Sequence, residues 1–185
     1  NPGPDGNMWF AEGGSNRIAR ITLGGTITEF PIPTPASNVV SVNAGPANDV
    51  WFTENATNKV GRMTLDGVFT EFAVPTANSR PFKIFLGADG AMWFTENAGN
   101  KIGRITEAGQ ITEFPVPTPN SAPRAMTLGP DGAIWFTETT ANQIGRIDTN
   151  GVISEYRIPT ASSFPRHITP GPDGAVWFTE FNTNK

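Results

Sequence analysis

Apolar and polar positions alternate along short stretches of this chain, and the same stretches keep returning. In Ala91–Glu96 (AMWFTE), Ala91, Trp93 and Thr95 fall on one face of an extended chain and Met92, Phe94 and Glu96 on the other. Large apolar groups on both faces predict a strand sandwiched between two neighbours. A polar loop, Asn97–Asn100, leads to a second strand, Lys101–Thr106 (KIGRIT). A third follows at Gln110–Val116 (QITEFPV), then a Pro/Ser/Thr/Asn-rich crossover at Thr118–Ala122 and a fourth strand at Pro123–Leu128. No segment carries apolar residues at helical spacing over three turns, so helices are not expected.

The set repeats. Relatives of the turn-plus-strand Gly129–Glu138 (GPDGAIWFTE) occur at Gly3–Glu12, Gly45–Glu54, Gly87–Glu96 and Gly171–Glu180. Trp9, Trp51, Trp93, Trp135 and Trp177 recur every 42 residues. A period in the low forties is the length of one four-stranded propeller blade. The expectation is an all-β chain: one β-propeller domain over 1–185, built from 42-residue four-stranded blades, with about 4.4 repeats. The units are 8–49, 50–91, 92–133 and 134–175, with a partial unit 176–185. Residues 1–17 and 169–185 occupy the same phase of the repeat. Open ends would expose apolar blade faces, so the chain is expected to associate with copies of itself and complete a ring.

Several positions predict finer structure. Gly61, Gly103 and Gly145, with Ala19 in the first unit, sit inside the second strand, where a bulky neighbour, the repeat Trp, is expected to press. Gly24-Gly25, Asp66-Gly67, Ala108-Gly109 and Asn150-Gly151 read as two-residue hairpin turns. Such turns would set Arg20 opposite Glu29, Arg62 opposite Glu71, Arg104 opposite Glu113 and Arg146 opposite Glu155. Pro31, Pro115, Pro33, Pro75, Pro117 and Pro159 mark the third strand as an outer edge.

Composition changes this picture little. The formal charge of −4 and the lack of clustered Lys and Arg argue against a nucleic-acid partner. No apolar run is long enough to span a membrane. With no cysteine, disulfides and thiolate metal sites are excluded and the compartment, cytoplasmic or secreted, stays open. The chain starts at Asn1 without a Met, so its ends read as processed, trimmed or designed.

Strand alternation places the loop after the tryptophan strand and the entry to the inner strand at one end of the ring. Glu12, Glu54, Glu96, Glu138 and Glu180 end the tryptophan strands there. Present in every copy, they are expected to bind loop N–H groups or to pair with Lys59 and Lys101. Asn16, Asn58, Asn100, Asn142 and Asn184 suit loop conformations. Function is expected where the repeats differ most, at the inner-strand entry. Lys83, Arg124, Arg166 and His167 would ring a central channel, with Phe82, Phe164 and Glu138 beside them, as a funnel for an anionic or carbonyl-rich small molecule or peptide. His167, the single histidine, is the natural general base, with Glu180 as a carboxylate partner.

The run GPDGAIWFTE…NKIGRIT…ITEFPVPTP resembles the streptogramin lyase (virginiamycin B lyase) propellers over essentially the whole chain. The resemblance implies a seven-bladed ring, of which this chain would be somewhat over half. It also implies opening of cyclic streptogramin B antibiotics by elimination at an ester, with a divalent metal such as Mg²⁺ and with histidines and a glutamate in catalytic roles. Against the family pattern, His167 stands one residue late after the inner-strand Pro165, which on a regular strand turns it to the opposite face. Gly14, Ala56, Ala98, Thr140 and Asn182 occupy the position of a second histidine. Two functions follow: a non-catalytic, ligand-binding propeller scaffold that self-associates, or a streptogramin B lyase using His167 with Mg²⁺ near Glu180 or Glu138.

Overall fold

From the second sheet on, each tryptophan strand lies second in an antiparallel sheet, as its two apolar faces require. The computed structural model describes residues 1–183. It is all strand. The first sheet holds β1 (Met8–Glu12), β2 (Arg17–Ile21) and β3 (Ile27–Pro31), with Pro2 bridged to Met8. Three four-stranded sheets follow: β4–β7 (Val39–Ala44, Asp49–Glu54, Lys59–Thr64, Phe69–Ala73), β8–β11 (Pro81–Leu86, Met92–Glu96, Lys101–Ile105, Ile111–Pro115) and β12–β15 (Pro123–Leu128, Ile134–Glu138, Gln143–Ile147, Ile153–Arg157). A two-stranded sheet, β16 (Pro165–Pro170) with β17 (Val176–Glu180), ends the described chain. Strand order within each sheet is sequential, and each inner strand packs against the inner strand of the next sheet. The sheets are therefore blades set around a common axis. No helix among the described residues is long and apolar enough to cross a membrane.

The core lies between blades. Trp9, Trp51 and Trp93 are buried, each in a cluster completed by the following blade. Trp9, for example, packs with Val50, Phe52, Met63 and Phe69. Trp135 is half-buried, and Trp177 is 60% exposed, because among the described residues no blade packs beyond the β16–β17 sheet. The residue over the strand glycines is phenylalanine, not the expected tryptophan. A Cβ on Gly61, Gly103 or Gly145 would meet the Cζ of Phe52, Phe94 or Phe136 at 2.0, 2.1 and 2.2 Å. Tryptophan instead stacks outward on the third-strand aromatic, as in Trp93–Phe114 at 5.6 Å.

The hairpin register differs by one residue from the two-residue reading. Thr106 N donates to Gln110 O (3.1 Å) and Gly109 N to Thr106 O (2.9 Å), with Gly109 at φ 85°. This is a three-residue loop, a type I turn followed by one left-handed glycine. Only the third loop residue, Gly109, needs positive φ, so Ala108 fits without strain. Arg20, Arg62, Arg104 and Arg146 accordingly face Thr28, Thr70, Thr112 and Ser154, while Glu29, Glu71, Glu113 and Glu155 face Ala19, Gly61, Gly103 and Gly145. The arginines pair instead with Asp5, Asp89 and Asp131 of the preceding turns and, in the second blade, with Asp49 at the start of β5.

Crossovers are locked by asparagine. Asn58, at φ 60°, donates to Val74 O (3.1 Å) and Thr76 O (2.9 Å) and accepts from Ser79 N (2.7 Å). Asn16, Asn100 and Asn142 repeat the pattern. Asn184 lies outside the described residues.

Candidate functional site

The inner strands do not alternate strictly where they begin. Their pairing with the tryptophan strands shifts register between Pro81 and Ile84, between Pro123 and Met126, and between Pro165 and Ile168. Bulges of this kind re-aim side chains beside functional sites. Here they turn both residues of each Phe82-Lys83, Arg124-Ala125 and Arg166-His167 pair to the wall of one axial cavity of about 450 Å³. Regular alternation would have sent His167 away from Arg166; the bulge removes that constraint.

Threonines missed by the sequence reading hold the bulges. Thr95 Oγ1 accepts from Lys83 N (3.0 Å) and donates to Arg124 O of the next blade (2.9 Å). Thr53 Oγ1 donates to Phe82 O (2.9 Å), and Thr137 Oγ1 accepts from Ala125 N (3.1 Å). The signal was present, since a Thr precedes the Glu of the tryptophan strand in units two to five. The crossover side of the entry is strained. Arg80, Ala122 and Phe164 adopt φ of 53°, 52° and 55°, a region side-chain-bearing residues seldom occupy.

The cavity is cationic and partly aromatic. The Arg124 guanidinium lies 4.5 Å from the Phe82 ring centroid. Arg166 lies 3.7 Å from Phe181 and 5.3 Å from Phe164. Such contacts orient each guanidinium while leaving its N–H groups free. Burial pulls the Lys83 pKa down, and burial with Arg166 nearby lowers that of Arg124. Both shifts fit a site prepared for an electron-rich guest. Phe164, Glu138 and Glu180 are not on the cavity wall. Phe164 flanks Arg166, and Glu180 faces Pro165 and accepts from Thr183 Oγ1 at 3.0 Å.

The tryptophan-strand glutamates go deeper than loop binding requires. Glu54, Glu96 and Glu138 are fully buried. Glu54 accepts from Thr57 Oγ1 (2.8 Å), whereas neither oxygen of Glu96 or Glu138 has a hydrogen-bond partner. Burial, reinforced by the Glu113 carboxylate, raises Glu96 to about 7. Burial and Glu155 raise Glu138 to about 8. The expected pairing with Lys59 and Lys101 does not occur, because those ammonium groups bind Glu71 and Glu113, both at 2.8 Å.

Blades around an axis, with cations from successive inner strands on one central cavity, define a β-propeller. A family profile, the virginiamycin B lyase family, matches residues 1–185, and the chain belongs to that family. Selenomethionine-substituted virginiamycin B lyase from Staphylococcus aureus is 49% identical, with a TM-score of 0.93 over 95% of this chain and 60% of that one. A catalytically inactive histidine-to-alanine variant of that lyase, solved with quinupristin, is 48% identical, with a TM-score of 0.98 over 100% of this chain and 63% of that one. A putative gluconolactonase structure, 13% identical with a TM-score of 0.72, shares the fold alone. No curated protein matches the chain. The chain spans about 60% of the length of the lyases it matches.

Proposed function

We propose that the chain binds a carbonyl-rich cyclic depsipeptide of the streptogramin B class in its axial cavity, as an arc of a virginiamycin B lyase-type propeller. The carrying observation is the convergence of Lys83, Arg124 and Arg166 with Phe82 on one cavity of about 450 Å³, a volume suited to a small guest or part of a larger one. Guanidinium and ammonium N–H groups would meet ester and amide oxygens, and Phe82 would meet apolar side chains. Calorimetric titration with quinupristin tests this. Arg124→Ala should weaken binding at least about tenfold, roughly the loss of one charge-assisted hydrogen bond. Equal affinity in variant and parent rejects the site.

Lyase chemistry is the second reading, favoured by the exposed imidazole of His167 on the same wall. His167 would take the proton from the carbon next to the one that bears the ester oxygen; the C–H electrons would form a C=C bond as the alkyl C–O bond breaks and the ring's carboxylate leaves. The ring opens without change of mass, so chromatography rather than mass alone detects it, and His167→Ala should abolish it. The cavity wall bears no carboxylate, and Glu138 and Glu180 lie off it. These residues do not fit the family's divalent metal beside His167, and no step is routed through one.

We also propose association between copies. Trp177 lies uncovered, and Met8, Leu23 and Ile27, which match the Val50, Leu65 and Phe69 that pack around Trp9, are exposed at the opposite face. Sedimentation of the chain should show a mass rising with concentration, and a monomer throughout rejects it.

A further inference from the structure

One blade lacks a charge that its neighbours carry. Lys59 Nζ lies between Thr34 Oγ1 (2.7 Å) and Glu71 Oε2 (2.8 Å). Lys101 Nζ repeats this with Thr76 Oγ1 (2.6 Å) and Glu113 Oε2 (2.8 Å). Each ammonium joins the crossover leaving one blade to the outer strand of the next. Both lysines face a buried glutamate across the strand pair, Glu54 or Glu96.

In the fourth blade Gln143 takes the lysine's place, facing Glu138. The rest of the cradle is kept. Thr118 donates to Glu155 through N (2.8 Å) and Oγ1 (2.9 Å). The positive charge is not replaced. Arg157, opposite Gln143 on β15, is exposed and forms no ion pair among the described residues. Oε1 of Gln143 is left buried without a partner, an orphan with no counterpart in the blades that carry lysine, and it faces the fully buried Glu138 carboxyl, whose oxygens are unpartnered like those of Glu96. Thr118 Oγ1 still has lone pairs to offer, as Thr34 Oγ1 shows by accepting from Lys59 while donating to Glu71.

We propose that this pocket holds a hard metal cation where the neighbouring blades hold a lysine ammonium, bound by Glu155, Glu138, the Gln143 amide oxygen and the Thr118 hydroxyl. An all-oxygen set selects alkali or alkaline-earth ions over zinc or copper. A buried carboxyl, Glu138, beside the half-buried carboxylate of Glu155 needs a counter-charge. None of the four residues lines the axial cavity, so this site stands or falls apart from depsipeptide binding. Its role is to tie the third blade's crossover to the fourth blade's outer strand.

The test uses the 185-residue chain, stripped with chelator and exchanged into choline chloride above the pKa of Glu138. The melting temperature is followed as Na⁺, K⁺, Mg²⁺ or Ca²⁺ is added at constant ionic strength. A saturable rise with one of them is expected, and the saturating ion identifies its charge and size class. Gln143→Lys should abolish the rise and melt higher than the parent in choline. Glu155→Gln should weaken apparent affinity at least about tenfold. Lys101→Gln copies the fourth-blade arrangement into the third and should raise the calorimetric stoichiometry from one ion to two; it reports even if Gln143→Lys fails to fold. Identical melting in all five salts, with no binding by parent or Lys101→Gln, overturns the proposal and leaves Glu138 holding a proton shared with Glu155.

Discussion

Phe94 occupies the space that a side chain at Gly103 would need, its Cζ 2.1 Å from where a Cβ would stand. Gly103→Ala should therefore destabilise the chain by about 1–3 kcal/mol, the usual range for overpacking. Adding Phe94→Leu should recover part of the loss. Urea midpoints of the single and double variants check both, and an unchanged midpoint for Gly103→Ala would refute the contact.

Asp89 gathers the turn, the tryptophan strand and the arginine strand of the third blade. It accepts from Trp93 Nε1 (3.0 Å), Ala91 N (3.2 Å) and Arg104 Nε (2.7 Å). Asp89→Ala leaves those donors without their acceptor and should cost about 1–3 kcal/mol. Glu113→Ala should also destabilise, but through Lys101 and Thr76 rather than through Arg104. A double-mutant cycle of Arg104 with each acid separates the two networks. Strong coupling to Asp89 and none to Glu113 is expected.

Glu96 makes stability depend on pH. Its carboxyl titrates near 4.5 when unfolded and at about 7 when folded, raised by burial and then by Glu113. Unfolding in that window releases a proton, so the contribution is fully present below 4.5 and is lost as pH rises through about 7. The slope is about 1.4 kcal/mol per pH unit for one group at most. Glu96→Gln should flatten the fall in melting temperature between these limits. An identical profile in parent and variant would count against a protonated Glu96.

The same tryptophan has two different energetic roles along the chain. Trp93 is 1% exposed and Trp177 is 60% exposed. Trp93→Ala should cost about 3–5 kcal/mol, the range for a buried aromatic. Trp177→Ala should cost far less in dilute monomer, and it should remove the fluorescence most accessible to acrylamide.

Strand order, blade length and crossovers were legible because a 42-residue repeat shows each signal several times. The hairpin register was not, because Gly-Gly, Asp-Gly and Asn-Gly serve both two- and three-residue loops, and only the Thr106–Gln110 bond separates them. The glycine in KIGRIT announced a close neighbour, but Trp93 and Phe94 are adjacent, and a half-turn of the strand decides which one it meets. Lys83, Arg124, Arg166 and His167 were found through their variation among otherwise matching units. Their shared cavity depends on bulges fixed by Thr95 and Thr137; the repeated Thr was in the sequence, but its bonds to the inner-strand backbone were not. The empty lysine position at Gln143 was visible in sequence, but its meaning needed Lys59 and Lys101 to be seen holding Glu71 and Glu113.

Thr76 meets Glu113 at a separation of 37 residues, as Thr34 meets Glu71 and Thr118 meets Glu155. The second and third units thus each carry a socket for the unit before and a plug for the unit after. Joints between units are interchangeable in kind, since each blade meets a near-copy of its own partner. A coding sequence built this way can gain or lose a whole 42-residue segment by unequal recombination and still yield joints with a threonine matched to a glutamate, so blade number is open to change.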